Sequence, residues 1–471
     1  MRKLIVMLLC LGLLSGLALA FDPQPGADGV GDPYYPAIGN GGYDVQHYTL
    51  DLTWDKSSSA IAGTVVLEAV ATQDLSAFNL DFWGFTVSHV LVNDIAATFK
   101  RTESEMTIIP AEPLMADSTF TVAVTYSGVP GEDVPEDVRI FGQGWVQYDG
   151  GVFVASEPNG AAFWYPVNDH PQDKAAYTFR ITVPNPYVVA ANGLLLETID
   201  NGDTSTYVWE TNYPVASYLV TVNIGQFIAQ NQTGPDGLPI RNYFPAAFFT
   251  NGITTFHRTS EMIELFSELF APYPFEAYGV AVAAAPLPFA LETQTLSLFG
   301  TGIFTTNRPG GADSVIAHEL AHMWFGDSVS PETWQDIWLN EGFATYASWL
   351  WFEHDGGVAV LESIVRDSYA QFAQPSEILI GNPSPERLFD GAVYVRGALT
   401  LHALRVKVGD EAFFTIMRTY YDRYQYGTAS IADFIAVAEE ISGQDLSAFF
   451  DGWLYQLAIP AISEMGLQPG V

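Results

Sequence analysis

The chain has 471 residues, 48% of them hydrophobic, which is enough to bury more than one core, so we expect two or three domains. Its 54 acidic and 18 basic residues give a formal net charge of −36, and such a surface repels nucleic acid and anionic lipid, which excludes a nucleic-acid-binding function. The single cysteine, Cys10, lies in an N-terminal apolar run, which excludes disulfides, a thiol nucleophile and cysteine-ligated metals in the rest of the chain.

A signal peptide is predicted over residues 1–20. Arg2 and Lys3 form its positive start, residues 4–17 are its apolar run, and residues 18–20 read Ala-Leu-Ala, a small-x-small cleavage site. An uncleaved membrane anchor is the alternative, because the apolar run is close to the minimum length of a membrane helix. The cleavage site favours the signal peptide. We therefore expect an exported protein, periplasmic, extracellular or at the cell surface, without stable membrane insertion after the signal is removed.

Residues 21–42 are rich in Pro, Gly and Asp and are predicted to be a lead-in segment. Residues 43–230 are predicted to be an antiparallel β domain, a sandwich or a saddle, because apolar residues alternate there with polar ones. The alternating sets are Tyr48, Leu50, Leu52 and Trp54; Phe120, Val122, Val124 and Tyr126; Tyr177, Phe179, Ile181 and Val183; and Tyr218, Val220, Val222 and Ile224.

Residues 231–458 are predicted to be a helix-rich α+β domain with a small sheet, followed by a tail over 459–471. Two extended stretches are predicted, a buried strand over 278–285 and a second one over 295–305. Apolar residues recur at helical spacing in six other stretches: 261–270, 313–325, 341–353, 392–406, 410–424 and 430–442.

A metal site is predicted in the helix at 313–325, for which Asp313 is a candidate N-cap. His318 and His322 are four residues apart, so both imidazoles lie on one helical face and can share an ion. Glu319 is on the adjacent surface, where it can act as general base on a water that the ion activates. The alternative is a helix whose histidines only cap or pack.

The residue types favour zinc, one ion per chain. A catalytic zinc takes three protein ligands of nitrogen or oxygen type and leaves the fourth position to water. Glu341, on the next predicted helix, is the candidate third ligand. Asp327 and Asp336 either orient a liganding imidazole or are ordinary cap residues.

The motifs around these residues resemble the aminopeptidase N family of gluzincin zinc metallopeptidases. The resemblance implies a thermolysin-like catalytic domain, and it covers about 45–455, so the chain resembles a two-domain short form that lacks the family's C-terminal helical domain. Tyr394 takes by resemblance the role of a phenol that donates to the oxyanion, and Arg396 stands where the family usually has Lys. The similar segments are 318–327 with 338–344, 392–405, 164–175 and 290–293.

The same resemblance implies two substrate-binding carboxylates. Glu157 falls where the family places a Gln or Glu that contacts the substrate's free N-terminus, and Glu292 would bind the α-ammonium group. Leu291 and Thr293 depart from the family's Met and Asn at this motif. Two carboxylates beside a metal site are also costly to bury without a cation, and the α-ammonium group of a peptide is such a cation.

The predicted function is therefore a zinc-dependent aminopeptidase that releases N-terminal residues from peptides, with a zinc-activated water and Glu319 as general base. One alternative is a zinc endopeptidase or another gluzincin hydrolase with an open cleft. An alternative of another class is a non-catalytic surface interaction protein on the same fold. Oligomeric state and side-chain preference are not predicted.

Overall fold

The computed structural model describes residues 22–468 apart from 133, 136, 137, 139–142, 307–309 and 373. The predicted signal peptide over 1–20 lies outside the described residues. Within them, strands dominate the first half of the chain and helices the second half. The prediction of a β domain followed by a helix-rich domain with a small sheet is confirmed.

The first domain is built from strands arranged in three sheets. The largest sheet has the order β14-β15-β12-β2-β3-β9-β5-β6, and two four-stranded sheets have the orders β1-β4-β8-β7 and β10-β11-β16-β13. The strands are β1 (Gln24–Pro25), β2 (Tyr43–Asp55), β3 (Ala60–Ala71), β4 (Leu75–Asp81), β5 (Thr86–Val92), β6 (Ile95–Ala96), β7 (Thr98–Arg101), β8 (Glu105–Ile109), β9 (Thr119–Gly128), β10 (Gly144–Tyr148), β11 (Gly151–Ala155), β12 (Ala176–Pro184), β13 (Val188–Ala191), β14 (Leu194–Asp200), β15 (Thr204–Glu210) and β16 (Val222–Gly225).

The apolar alternation predicts these strands where one face of a sheet is buried. Along β2, the residues Tyr48, Leu50, Leu52 and Trp54 are all buried and the residues between them face outward. The stretch from Tyr218 to Ile224 is different, because a 3₁₀ turn over 217–219 precedes β16, whose residues are all buried. The alternation of residue types in this stretch does not correspond to a buried and an exposed face. The strand, β16, is therefore shorter than the predicted one.

The prediction of a purely antiparallel domain is wrong for two strand pairs. β12 runs parallel to β2, with Tyr177 opposite Tyr48, and β1 runs parallel to β4. A parallel pair needs a long crossover connection. The chain leaves the large sheet after β9, builds β10 and β11 in another sheet, and returns as β12 beside β2.

The second domain contains one four-stranded sheet, of order β17-β18-β19-β20, and a two-stranded sheet of β21 and β22. Its strands are β17 (Phe227–Thr233), β18 (Pro239–Pro245), β19 (Tyr278–Ala283), β20 (Ser297–Gly300), β21 (Val329–Pro331) and β22 (Gly427–Ala429). Its α-helices in the described ranges are α1 (Phe249–Thr255), α2 (Thr259–Leu269), α3 (Gly311–Ala321), α4 (Trp338–Gly356), α5 (Val358–Ala370), α6 (Gly391–Val408), α7 (Asp410–Tyr424), α8 (Ile431–Ser442) and α9 (Ser447–Leu454).

The elements of the second domain differ from the predicted ones in three places. β17 begins at Phe227 and pairs with β18, so the change of sheet precedes the predicted boundary at 230. The extended stretch over 295–305 is a short strand, β20, followed by a 3₁₀ turn over 301–305. The predicted tail after 458 packs on the domain, since Ile459 and Ile462 are buried.

Two glycines bring the site-bearing helices together. Gly342 on α4 lies against Gly397 on α6, so closely that a Cβ atom on either one would approach the other's backbone to within 3 Å. This contact carries Tyr394, one turn before Gly397, toward the first turn of α4. In the part of the chain that the structure describes, no helix is long and apolar enough to cross a membrane.

Candidate active site

The predicted metal ligands come from α3, the residue that ends it, and the start of α4. His318 lies on α3, His322 directly follows its last residue, and Glu341 lies in the first turn of α4. Asp313 is not the N-cap, because α3 begins after Gly310. Its carboxylate pairs instead with Arg258 at 3.4 Å.

The three predicted ligands converge on one point. The Nε2 atoms of His318 and His322 are 3.1 Å apart, and the Glu341 Oε2 atom lies 3.1 Å from the first and 3.5 Å from the second. Tetrahedral zinc with bonds of about 2.0–2.1 Å separates its ligand atoms by about 3.3 Å. The observed distances fit that arrangement, so the residues present fit a zinc ion.

A backbone carbonyl fixes the His322 imidazole in the tautomer that metal binding needs. His322 Nδ1 donates to the Phe325 carbonyl at 3.0 Å, which leaves the lone pair on Nε2. His318 Nδ1 lies 3.4 Å from the Thr345 hydroxyl. Asp336 closes a capping box with Thr333, so the cap interpretation of that residue agrees with its contacts.

Negative charge dominates the site. Burial alone would raise the pKa of Glu341, but hydrogen bonds to His318 and His322 outweigh burial and lower that pKa to about 2. Burial alone would lower the pKa of His322, yet Glu292 and Glu341 raise it well above its ordinary value. Two imidazoles and a carboxylate with further carboxylates close by are suited to a divalent cation.

Glu319 and Tyr394 flank the ligands. Glu319 is 5% exposed, and its carboxylate lies within 4.8 Å of ligand atoms of His322 and Glu292. The Tyr394 ring stacks on the His318 ring at 5.8 Å between centroids. Burial and then the charges of Glu341 and Glu157 raise the pKa of Tyr394 well above its ordinary value, so its hydroxyl stays protonated.

The two predicted amine-binding carboxylates face the same cavity. Glu157 follows β11 and Glu292 precedes β20, and Glu292 Oε1 lies 3.9 Å from His322 Nδ1. Neither Glu157 Oε1 nor Glu292 Oε1 has a hydrogen-bond partner among the described residues. The pKa of Glu157 is raised well above its ordinary value by burial and by the charges of Glu292 and Glu341.

A cleft of about 990 Å³ between the two domains contains all seven predicted site residues. Its described lining includes no Lys or Arg, so a bound cation would be the counterion of its carboxylates. The apolar part of the wall is not predicted from the sequence: Phe289, Trp349, Phe352, Val360, Ile364 and Phe389. Helical spacing on α4 could have placed Trp349 and Phe352 on the face of Glu341, but nothing in the pattern separates a cleft wall from a core.

The cleft between the β domain and the helical domain holds three side chains that could bind one metal ion, with a carboxylate and a phenol beside them. This arrangement is typical of metal-dependent hydrolases. The Peptidase M1 N-terminal domain matches residues 44–219, and the Peptidase family M1 domain matches residues 254–453. The chain belongs to the M1 peptidase family. This membership confirms the resemblance predicted from the motifs, and it agrees with the predictions of a hydrolase that uses zinc.

The chain is similar to longer curated proteins and to a solved structure of its own length. It is 27% identical over 324 residues to Aminopeptidase M1 of Arabidopsis thaliana, covering 65% of this chain and 37% of the relative. It is 27% identical over 332 residues to human glutamyl aminopeptidase, with 66% and 35% covered. The M1 zinc metallopeptidase of Deinococcus radiodurans, solved as a mutant bound to a Tyr-Ser-Ala substrate, superposes with a TM-score of 0.84 at 32% identity. That match covers 94% of this chain and 100% of the other.

Proposed function

We propose that the chain is a zinc-dependent aminopeptidase that releases the N-terminal residue of peptides. The observation that carries the proposal is the pair Glu157 and Glu292, which both line the cleft and whose Oε1 atoms have no hydrogen-bond partner among the described residues. Buried carboxylates need a cation. The α-ammonium group of a peptide supplies that charge, and its pairing holds the first peptide bond beside the metal ligands.

Each of the predicted site residues has a separate role in hydrolysis. His318, His322 and Glu341 would hold the zinc, which when bound acidifies water and polarises the scissile carbonyl. Glu319 accepts the proton of the attacking water and returns it to the leaving amine. The protonated Tyr394 hydroxyl donates a hydrogen bond to the oxygen on which negative charge develops.

The test compares aminoacyl fluorogenic amides with their N-acetylated counterparts, each with and without a zinc chelator. Chelator-sensitive hydrolysis of the free-amine series alone is the expected result. Cleavage of acetylated substrates or internal bonds would favour the zinc endopeptidase. If zinc-loaded protein hydrolyses neither series, the result would favour the non-catalytic surface interaction protein.

Glu292→Ala examines the amine contact in the same assay. We expect KM to rise about 10-fold or more for free-amine substrates, because a charge-assisted contact is lost. Equal losses on free-amine and acetylated substrates would show a structural role for Glu292.

We also propose that the protein is exported, which the composition of residues 1–20 supports. N-terminal sequencing of protein recovered outside the cytoplasm should begin at Phe21. Recovery in the membrane fraction with an intact Met1 start would favour the uncleaved anchor.

A further inference from the structure

A tight turn over residues 325–328 follows the predicted ligand His322, and we name it the ligand turn. Its first carbonyl, that of Phe325, accepts the hydrogen bond from His322 Nδ1 that orients the imidazole. The Asp327 amide donates back to the His322 carbonyl at 2.9 Å. Gly326 has a φ of +133°, and a Cβ atom there would lie 3.0 Å from His322 Nδ1. A shift of the ligand turn therefore shifts the imidazole.

The other three carbonyls of the ligand turn accept hydrogen bonds from side chains of the β domain. Lys174 Nζ donates to the carbonyls of Asp327 and Ser328 at 2.9 and 3.0 Å. The buried Tyr218 hydroxyl donates to the Gly326 carbonyl at 3.0 Å. The two Lys174 bonds are charge-assisted, which makes them stronger than bonds between neutral groups. Two side chains of one domain thus hold the backbone that orients a metal ligand of the other.

Tyr218 also contacts the segment of a second predicted ligand. Its hydroxyl accepts from the Asn340 side-chain amide at 3.4 Å, and Asn340 directly precedes Glu341 in the first turn of α4. The hydroxyl therefore lies between the ligand turn and the start of α4. Ser330 donates to the Gly326 carbonyl as well, at 2.5 Å, so Tyr218→Phe does not leave that acceptor without a donor.

We propose that Lys174 and Tyr218 are positioning residues of the zinc site, through which the β domain sets the affinity of the second domain for zinc. Neither is among the described residues that line the cleft, so their effect reaches the ion through the backbone that they hold. A ligand already held in position does not have to be ordered when the ion binds. The inference rests on the zinc site of the proposed function and is independent of the substrate.

The first test measures the zinc dissociation constant by competition with a colorimetric chelator, with folding checked by circular dichroism. Tyr218→Phe keeps the ring and loses the hydroxyl, and it should raise the zinc Kd about 10-fold or more. Tyr126→Phe is the matched control, because its buried hydroxyl donates to the Trp164 carbonyl at 2.8 Å within the β domain. Its zinc Kd should equal that of the wild type. A wild-type zinc Kd in folded Tyr218→Phe, or an equal rise in both variants, would overturn the inference.

The second test removes the cation. Lys174→Met should raise the zinc Kd about 10- to 100-fold, and Lys174→Arg, which keeps a charge and several donors, should raise it less. An unchanged zinc Kd in folded Lys174→Met would remove Lys174 from the assignment. If Lys174→Met does not fold, the comparison of Tyr218→Phe with Tyr126→Phe still decides the outcome.

The kinetics of the same variants separate positioning of the metal from general contact between the domains. With zinc in excess, KM for aminoacyl amides should stay near the wild-type value in Tyr218→Phe, because Glu157 and Glu292 are unchanged. A raised KM with a wild-type zinc Kd would mean that the two residues only hold the domains together, which contradicts the inference. Wild-type protein that binds zinc but hydrolyses no free-amine substrate would instead overturn the proposed function.

Discussion

Glu319 lies beside the predicted metal ligands but is not one of them, which makes its role separable from metal binding. In Glu319→Gln the side chain keeps its size and loses the ability to accept a proton. We expect kcat to fall by about 10²- to 10⁴-fold while zinc content stays near one ion per chain. Metal analysis beside steady-state kinetics checks both expectations. His322→Ala is the contrast, since it should lose zinc and turnover together, and near-normal activity in Glu319→Gln would refute the assignment.

Tyr394 offers a second separable effect, because its ring and its hydroxyl have different contacts. The ring stacks on His318, and Phe at this position retains that stacking. Loss of the hydroxyl removes a donor that acts on charge developing in the transition state. We expect Tyr394→Phe to lower kcat by about 10²-fold or more with little change in KM. A change confined to KM would assign the hydroxyl to substrate binding.

At the residue scale, the part of the site that local spacing determines could be predicted from the sequence. His318, Glu319 and His322 follow from helical geometry alone. The position of Glu341 depends on the packing of α4 against α3, and Tyr394 was assigned by resemblance. Glu157 and Glu292 are also predicted by resemblance, because they meet in a cleft between two domains, which no local pattern encodes. All seven residues line one cleft, and their roles stay predictions.

At the scale of elements, the helices that the sequence analysis missed are α1, α5 and α9. α1 and α9 have 7 and 8 residues, too few for a periodic pattern to stand out. α5 is longer, but Val358 and Val360 are apolar and exposed, so the apolar residues of α5 do not lie on one face. Its inner residues divide between the core and the cleft wall, and only tertiary packing decides which residue faces which.

α6 is fixed to α9 by a buried arginine. Arg396 is 0% exposed, and its guanidinium donates to the carbonyls of Gly452, Trp453, Gln456 and Leu457 at 2.6–3.1 Å. These carbonyls lie at and beyond the C-terminal turn of α9, where helical acceptors lack partners. Burial lowers the pKa of Arg396 to about 10, so it remains charged near neutral pH.

Arg396→Met should therefore destabilise the second domain. Removing the donor takes a charge-assisted hydrogen bond from four carbonyls, of which Leu457 keeps the Ser376 amide at 2.8 Å, and we expect a loss of about 3–5 kcal/mol in the free energy of unfolding. Arg396→Lys should lose less, because an ammonium group still offers three donors. Urea unfolding followed by tryptophan fluorescence measures the loss. Arg423→Met, which breaks an exposed pair with Glu440, should cost under about 1 kcal/mol. Equal losses at both arginines would contradict the role given to Arg396.

At the scale of the whole molecule, the predicted lead-in segment is a strap that joins both domains. Asp32 Oδ2 accepts from the Trp334 amide of the second domain at 2.8 Å and lies 3.2 Å from His170 Nε2 of the first. Farther along the strap, Asp81 Oδ2 accepts from the Gly39 amide at 3.1 Å. A segment rich in Pro, Gly and Asp shows no periodicity, so its role could not be predicted from the sequence.

The strap's anchor at Asp81 predicts how stability depends on pH. Glu105 is paired with Asp81 across β4 and β8, and burial together with the Asp81 charge raises the pKa of Glu105 to about 9. The folded chain thus holds a proton that the unfolded chain releases near pH 4.5. This contribution to stability is fully present below that pH and is lost as the pH rises toward 9. The pKa values of Asp169, about 7, and Asp173, about 8, are raised by burial in the same direction.

The apparent Tm should accordingly fall between pH 5 and pH 9, and Glu105→Gln, which cannot ionise, should show a shallower fall by about 2 °C or more. Thermal unfolding across this pH range is the measurement. The control is Glu103→Gln, which replaces the same carboxyl group at an exposed position two residues away and should keep the wild-type slope. A slope in Glu105→Gln equal to that of the wild type would mean that Glu105 does not retain its proton in the folded chain. The strap would then be anchored at Asp81 independently of pH.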